Sequence, residues 1–404
     1  MRISLSVVVL ALAFVLIAPA VRAADVTADD TARFLAGLQP SANSPLLPLT
    51  ADPAWQRHAK FFDSAFAQLA QQQLSKIGDW SVANLAVPRP TMFYMFAGPD
   101  FLYANAFYSR ATTYVLSGLE PTGGVSDLSA LPPDAVALAL DNIERSLWSL
   151  LNFSFFNTRQ MKTDLDVGEV SGTLPILYVF LARSGMTIRD VKPVTLDVNG
   201  ALHVGVTVPA RGNARGTRIV FAGADGIEKT LYYFSTDLSN SGVKASGFLK
   251  FCATLAPGDS LIKSASYLMH LADFSAVRSF ILANSATIIQ DDSGIPLAHY
   301  SPRKWRFLPF GRYLGPVDKF PGLYQQSYAE LFAQARPIEF GIGYRWRPNE
   351  SNVLLSVRLS GDGTATAEAL PPSEQMPQLA SKPKPRRPRP PPAAAPPGDI
   401  WLWR

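Results

Sequence analysis

Thr91-Met92-Phe93-Tyr94-Met95-Phe96-Ala97 is an apolar run broken by no charge and stopped by Gly98-Pro99. A second run, Thr112-Thr113-Tyr114-Val115-Leu116, follows a short stretch of helical character over 100–109. Strands that read as continuous apolar runs, without alternation, are buried on both faces, and that is the habit of parallel sheets covered by helices. After Pro132-Pro133 a longer helix is predicted over 134–151, then another over 172–183. Strand, helix, strand, helix in this order predicts crossover units. The fold class expected is therefore mixed α/β, with helices packed around a mixed central sheet.

The flanks read differently. Residues 24–51 are rich in Ser, Pro and Asn and look irregular. Asp52-Pro53 offers an N-cap followed by proline at the first helical position. Trp55, Phe62, Phe66 and Leu69 recur at helical spacing, predicting an amphipathic helix over 53–78. Arg218-Ile219-Val220-Phe221-Ala222 and Thr230-Leu231-Tyr232-Tyr233-Phe234 flank Gly223-Ala224-Asp225-Gly226, a hairpin pattern. Apolar helices are expected at 245–255, 260–271 and 275–284. Ala286-Thr287-Ile288-Ile289 should be a strand, and two late strands at 338–345 and 352–359 should close the body.

The chain opens with Met1-Arg2, an uncharged apolar run from Ile3 to Ala20, and Val21-Arg22-Ala23. A basic start, an apolar core and small residues at −3 and −1 make a secretory leader cleaved after Ala23. The competing reading is an uncleaved anchor, since the run is nearly long enough to span a bilayer. Export into a periplasmic or extracellular space is the expectation. With one cysteine, Cys252, no internal disulfide can form there, so stability must come from the core. A composition of 48% hydrophobic and 11% aromatic residues supplies one. Cys252 itself, in an apolar helical stretch, reads as a small buried hydrophobe.

From Pro371 onward the composition changes. Lys382-Pro383-Lys384-Pro385-Arg386-Arg387-Pro388-Arg389 leads into a run of prolines that cannot build helix or sheet interior, so an extended or disordered tail is predicted. The organisation expected is a leader at 1–23, an N-terminal irregular segment and helix at 24–90, a main body at 91–370 and a basic tail at 371–404. The leader's two arginines and the tail's net four positive charges exceed the chain's total of +5. The body is thus left one charge negative, which gives no support to nucleic-acid binding. The tail's arginines, with Trp401 and Trp403 beside them, suit an anionic envelope surface or lipid.

Three blocks, Phe96-Ala97-Gly98-Pro99-Asp100-Phe101-Leu102-Tyr103, Tyr232-Tyr233-Phe234-Ser235-Thr236-Asp237 and Gln290-Asp291-Asp292-Ser293-Gly294-Ile295-Pro296, resemble a family of uncharacterised exported bacterial proteins. The resemblance spans residues 90–360. It implies export and carries no activity with it.

For chemistry, the pattern that stands out is acidic residues after expected strands: Asp100, Glu120, Asp237, Asp291 and Asp292. Ligands of open α/β sheets sit outside the carboxyl ends of the strands. If the strands are parallel neighbours, these carboxylates converge and could hold a divalent cation or supply an acid and a base for glycoside cleavage. The competing reading makes each a turn or helix cap. No nucleotide or cofactor-binding motif is present, and no metal ligands can be assigned. Ser260-Leu261-Ile262-Lys263 matches a Ser-x-x-Lys, but Ser241-Gly242-Val243-Lys244 and Ser301-Pro302-Arg303-Lys304 match equally well and the accompanying motifs are missing. His58, on the amphipathic helix, is expected to be exposed, and Asp164-Leu165-Asp166 is an Asp-x-Asp of the kind most chains contain. Trp305, Phe307, Phe310 and Tyr313, alternating with arginines, add aromatic surface suited to a sugar. The leading expectation is a binding or structural protein of the envelope. The alternative is a hydrolase of envelope glycans or phosphoesters working through the strand-end carboxylates.

Overall fold

The computed structural model describes residues 25–85, 87–153, 165, 168–205 and 214–359. The leader, the tail and both acids of Asp164-Leu165-Asp166 lie outside the described residues.

The strands in chain order are β1 (Thr91–Tyr94), β2 (Thr113–Gly118), β3 (Gly124–Val125), β4 (Val170–Ser171), β5 (Thr187–Leu196), β6 (Leu202–Val204), β7 (Ala214–Ala222), β8 (Glu228–Ser235), β9 (Gly258–Ile262), β10 (Ser285–Gln290), β11 (Trp305–Gly311) and β12 (Asn352–Arg358). Ten of them form one sheet in the order β11-β12-β10-β9-β1-β2-β8-β7-β5-β6, with β3 and β4 paired apart. The five central strands, β10, β9, β1, β2 and β8, run parallel. On each side the sheet is finished by antiparallel strands. The mixed α/β expectation therefore holds.

Alternate residues of each central strand feed two separate cores, as a period of two requires. Met92, Tyr94, Tyr114, Leu116, Leu231, Tyr233, Leu261 and Ile289 face one; Phe93, Met95, Val115, Phe234, Ile262 and Ile288 face the other. The first face is covered by α1 (Ala28–Leu35), α2 (Pro53–Leu69), α3 (Ser75–Asn84), α4 (Phe101–Phe107), α5 (Pro133–Phe153) and α6 (Leu174–Arg183). The second is covered by the helices Asn240–Ser246, Phe248–Thr254, Ser275–Asn284 and Gln326–Phe332. Burial on both faces is why the strands carry no alternation. The helix α6 is buried almost all round, because α1, α4 and α5 all pack against it.

Several expectations need correction. Residues 25–51 are only partly irregular: Thr27 caps α1 through its hydroxyl, and a 3-10 turn spans Leu47–Ala51. The stretch 260–271 is no helix; its amino end is the strand β9, whose apolar run Leu261-Ile262 is too short to tell the two apart. Residues 338–345 form loops, while β11, unforeseen, uses the aromatic–arginine alternation of 305–310 as a strand pattern. His58 is buried, between the Glu144 carboxylate at 2.7 Å and the Leu35 carbonyl at 2.9 Å.

The helix predicted over 53–78 runs on to Asn84, with Asp52 capping it as expected, but it contains a π turn at Ala70–Leu74. There Gln73 turns inward and accepts a hydrogen bond from the Tyr103 hydroxyl. At the amino ends of the strands, Asp259 ties three of them together. Its carboxylate accepts from the backbone N–H of Arg89 (2.7 Å), just before β1, and from the N–H (3.0 Å) and hydroxyl (2.7 Å) of Thr287, inside the irregularity of the β9–β10 ladder. Asp259→Ala should lower the unfolding free energy in urea by about 3 kcal/mol, since it orphans three partly buried donors worth about 1–3 kcal/mol each when fully buried. A loss under about 0.5 kcal/mol, the range of ordinary surface substitutions, would show that the tie does not hold the strands.

Candidate functional site

The chain reverses its direction of travel across the sheet between β1 and β9. From β1 it passes through α4, on the first face, to the neighbouring β2; from β9 it passes through Ser275–Asn284, on the second face, to the neighbouring β10. The segments leaving β1 and β9 therefore depart to opposite faces outside the carboxyl ends, the arrangement that in α/β sheets leaves a crevice. That is the switch point where α/β sheets hold ligands.

Backbone strain is concentrated at the same place. Among the described residues, the non-glycine residues in the left-handed region are Phe96 (φ 65°), after β1, and Ser264 (54°), Ser266 (50°) and Tyr267 (57°), after β9. Each costs about 1 kcal/mol or more and persists only where its surroundings impose it. For the three residues after β9, the segment after β10 and Tyr344 impose it. Asp291 Oδ2 accepts from the Ser264 N–H at 2.9 Å, and Ser293 Oγ accepts from the Ala265 N–H at 2.8 Å. Asp292 accepts from the Tyr267 hydroxyl at 2.5 Å and from the Asn352 amide at 3.0 Å. Tyr344 donates to the Ser264 carbonyl at 3.1 Å and lies 2.5 Å from Ser266 Oγ. Gly343 (φ 63°) lets the chain close over this loop; a Cβ there would sit 2.1 Å from Asp291 Oδ2.

Across the crevice, Lys263 Nζ lies 2.8 Å from Asp100 Oδ2, both side chains 2% exposed. The Tyr94 hydroxyl donates to the same oxygen at 2.9 Å, the Tyr103 N–H donates to Oδ1 at 3.3 Å, and the Tyr103 ring centroid is 3.5 Å from Nζ. Burial pulls the Lys263 amine below its ordinary range, against the opposing pull of Asp100 and Asp291. Burial and the neighbouring Asp292 charge push Asp291 up to about 7, against the hydrogen bonds from Ser293 and Ser264. Asp292 is raised as well, by burial, while Tyr267 and Asn352 oppose it.

The expected carboxylates thus separate into groups. Asp291 and Asp292 share one loop, and Asp100 meets them through Lys263. Glu120, two strands beyond β9, is buried with the Tyr233 hydroxyl 3.3 Å from its carboxylate, and it faces the Gly98 backbone of the β1 exit. Asp237 stands apart. At about 4.8 Å per strand it lies roughly four steps, about 19 Å, from the β10 end. It is exposed and accepts from the N–H and hydroxyl of Ser239 at 2.8 Å, the turn role its position allows.

Lys263, Tyr267, Tyr344 and Asn352 were not anticipated as site residues, since none belongs to a local motif. Lys263 figured only in a Ser-x-x-Lys, and in a strand Ser260 and Lys263 point to opposite faces. Cys252 is buried and its thiol is pushed up by that burial, as a structural cysteine's would be. His270 is driven down to about 4, chiefly by burial. Among the described residues no group of three or more His, Cys, Asp or Glu is gathered to hold a metal ion, and no helix is long and apolar enough to cross a membrane. Comparison with protein-family models, with curated proteins and with solved structures finds no match.

Because Asp291 binds its proton more tightly folded than unfolded, its contribution to stability is fully present below its unfolded value of 3.8 and is lost as pH rises through about 7. The urea midpoint should fall across that window in the parent protein and should be flatter in Asp291→Asn. Identical pH profiles for the two proteins would remove Asp291 as the titrating group.

Proposed function

We propose that the chain is an exported envelope protein whose body binds a hydroxyl-rich ligand, a glycan fragment, in the β1–β9 crevice, and whose basic tail contacts an anionic surface. The coincidence of the switch point with the strained exits of β1 and β9 carries this reading. Strain of this kind clusters at ligand sites, where the surrounding structure maintains it. The rim has the chemistry that a sugar needs. Half-buried Phe96 and Phe274 pair at 5.9 Å, and Tyr313 supports the exposed Tyr324 in a stacked pair at 5.6 Å. Such faces accept the apolar side of a pyranose, while Ser264, Ser266, Tyr344 and Arg345, all half-buried, offer hydrogen bonds to its hydroxyls. In the tail, each Lys or Arg near an anionic membrane adds about 1 kcal/mol.

One observation favours the alternative of a hydrolase acting on envelope glycans or phosphoesters. Asp291, held at about 7, has the proton affinity of a general acid or base. Against it, both Asp291 and Asp292 already accept several protein donors and are nearly inaccessible. Binding therefore leads.

Thermal melting of the full chain with a panel of envelope glycan fragments and divalent cations tests the proposal. A ligand at 100 times its Kd stabilises by about 2.7 kcal/mol, a readily measured shift. The shift should occur with a glycan and disappear in Tyr344→Ala; no shift with any glycan would sink the binding reading. Release of product from the same fragments, lost in Asp291→Asn, would put the hydrolase first. Anionic vesicles should capture the full chain and not a chain ending at residue 370; capture that survives the deletion would end the tail's assigned role.

A further inference from the structure

We infer that Lys263 and Asp100 condense into an intramolecular isopeptide bond, a covalent staple joining the exits of β1 and β9. The inference rests on the buried pair itself and stands whether or not the crevice binds a ligand.

The two groups are already in contact, Nζ to Oδ2 at 2.8 Å, with both side chains 2% exposed. Taking two opposite charges out of water is costly even when they pair. Converting them to a neutral amide and one water removes both buried charges at once. Held in contact, an amine and a carboxyl react as an intramolecular pair, with the entropy of encounter already spent. The polar groups around them are placed for the exchange. The Tyr103 N–H donates to Asp100 Oδ1, the oxygen that remains as the amide carbonyl and takes up negative charge in the tetrahedral intermediate. The Tyr94 hydroxyl donates to Oδ2, the oxygen that departs. The aromatic face of Tyr103 covers the amine.

The step balances without an oxidant or co-reactant. Proton transfer within the ion pair leaves a free amine and a carboxylic acid. Nζ attacks Cγ of Asp100 and forms the C–N bond. A proton passes from the nitrogen to Oδ2, and the Cγ–Oδ2 bond breaks to release water. In a chain whose one cysteine excludes an internal disulfide, such a bond would give the body the covalent tie that exported proteins otherwise draw from cystine.

Intact mass and a tryptic map of the full chain, denatured as isolated, test the inference. The expected result is a chain lighter than its sequence by one water, a branched peptide containing both Asp100 and Lys263, and no tryptic cleavage after Lys263. Lys263→Arg should restore the sequence mass and tryptic cleavage at that position. A parent chain at its sequence mass, with the Asp100 and Lys263 peptides recovered separately, would overturn the staple.

Discussion

Burial of the central sheet on both faces governs the rest of this molecule. Five parallel strands with apolar residues pointing both ways must be covered by two helical layers, and the chain can supply both only by reversing its winding once. That reversal sets the switch point between β1 and β9. The left-handed residues, the buried ion pair and the Asp291-Asp292 loop are all attached to its two sides. The site is thus a by-product of how the sheet is covered, and its position follows from topology before any side chain is considered.

Polar groups at the crevice do a task that the apolar layers cannot. Beyond the ends of the strands, the backbone of Ser264–Tyr267 leaves the ladder and still has to satisfy its N–H groups. Asp291 and Ser293, just after a neighbouring strand, take over that role for Ser264 and Ala265, while Asp292 holds the Tyr267 hydroxyl, which explains why the segment Gln290-Asp291-Asp292-Ser293-Gly294 is so dense in short polar side chains. Gln290 extends the pattern, bonding both the N–H and the carbonyl of Ile295 and so closing its own turn. A buried carboxylate here is at once structural support and a source of unusual proton affinity, and the two roles share the same atoms.

Much of the architecture was legible in the residues. The runs at Thr91 and Thr112, the hairpin around Gly223, and the cap at Asp52 all lie where local chemistry places them. The strand β9 was not legible, because Gly258-Asp259-Ser260-Leu261-Ile262 carries only two apolar residues in succession, and its strand character comes from the neighbours on either side. Without β9 the central strands could not be ordered, so the partnership of Asp100 with Lys263, 163 positions apart in the chain, was out of reach. Strand-end acids could be named singly, but their grouping could not. Asp237 looked like its counterparts and differs because its strand ends far from the reversal.

The π turn at Ala70–Leu74 amounts to one extra residue spliced into a helix. With 3.6 residues per turn, each residue advances a helix by about 100°, so the splice sets α3 at a different rotational phase from α2. Upstream, Phe62 and Phe66 point at α6 and its flanks; downstream, Ile77 is buried and Trp80 meets Phe107, Phe310 and Phe340. A single helix thereby serves two neighbours in two directions. Loss of one residue from the splice would leave the helix intact as a helix while turning one half of it to face the wrong way.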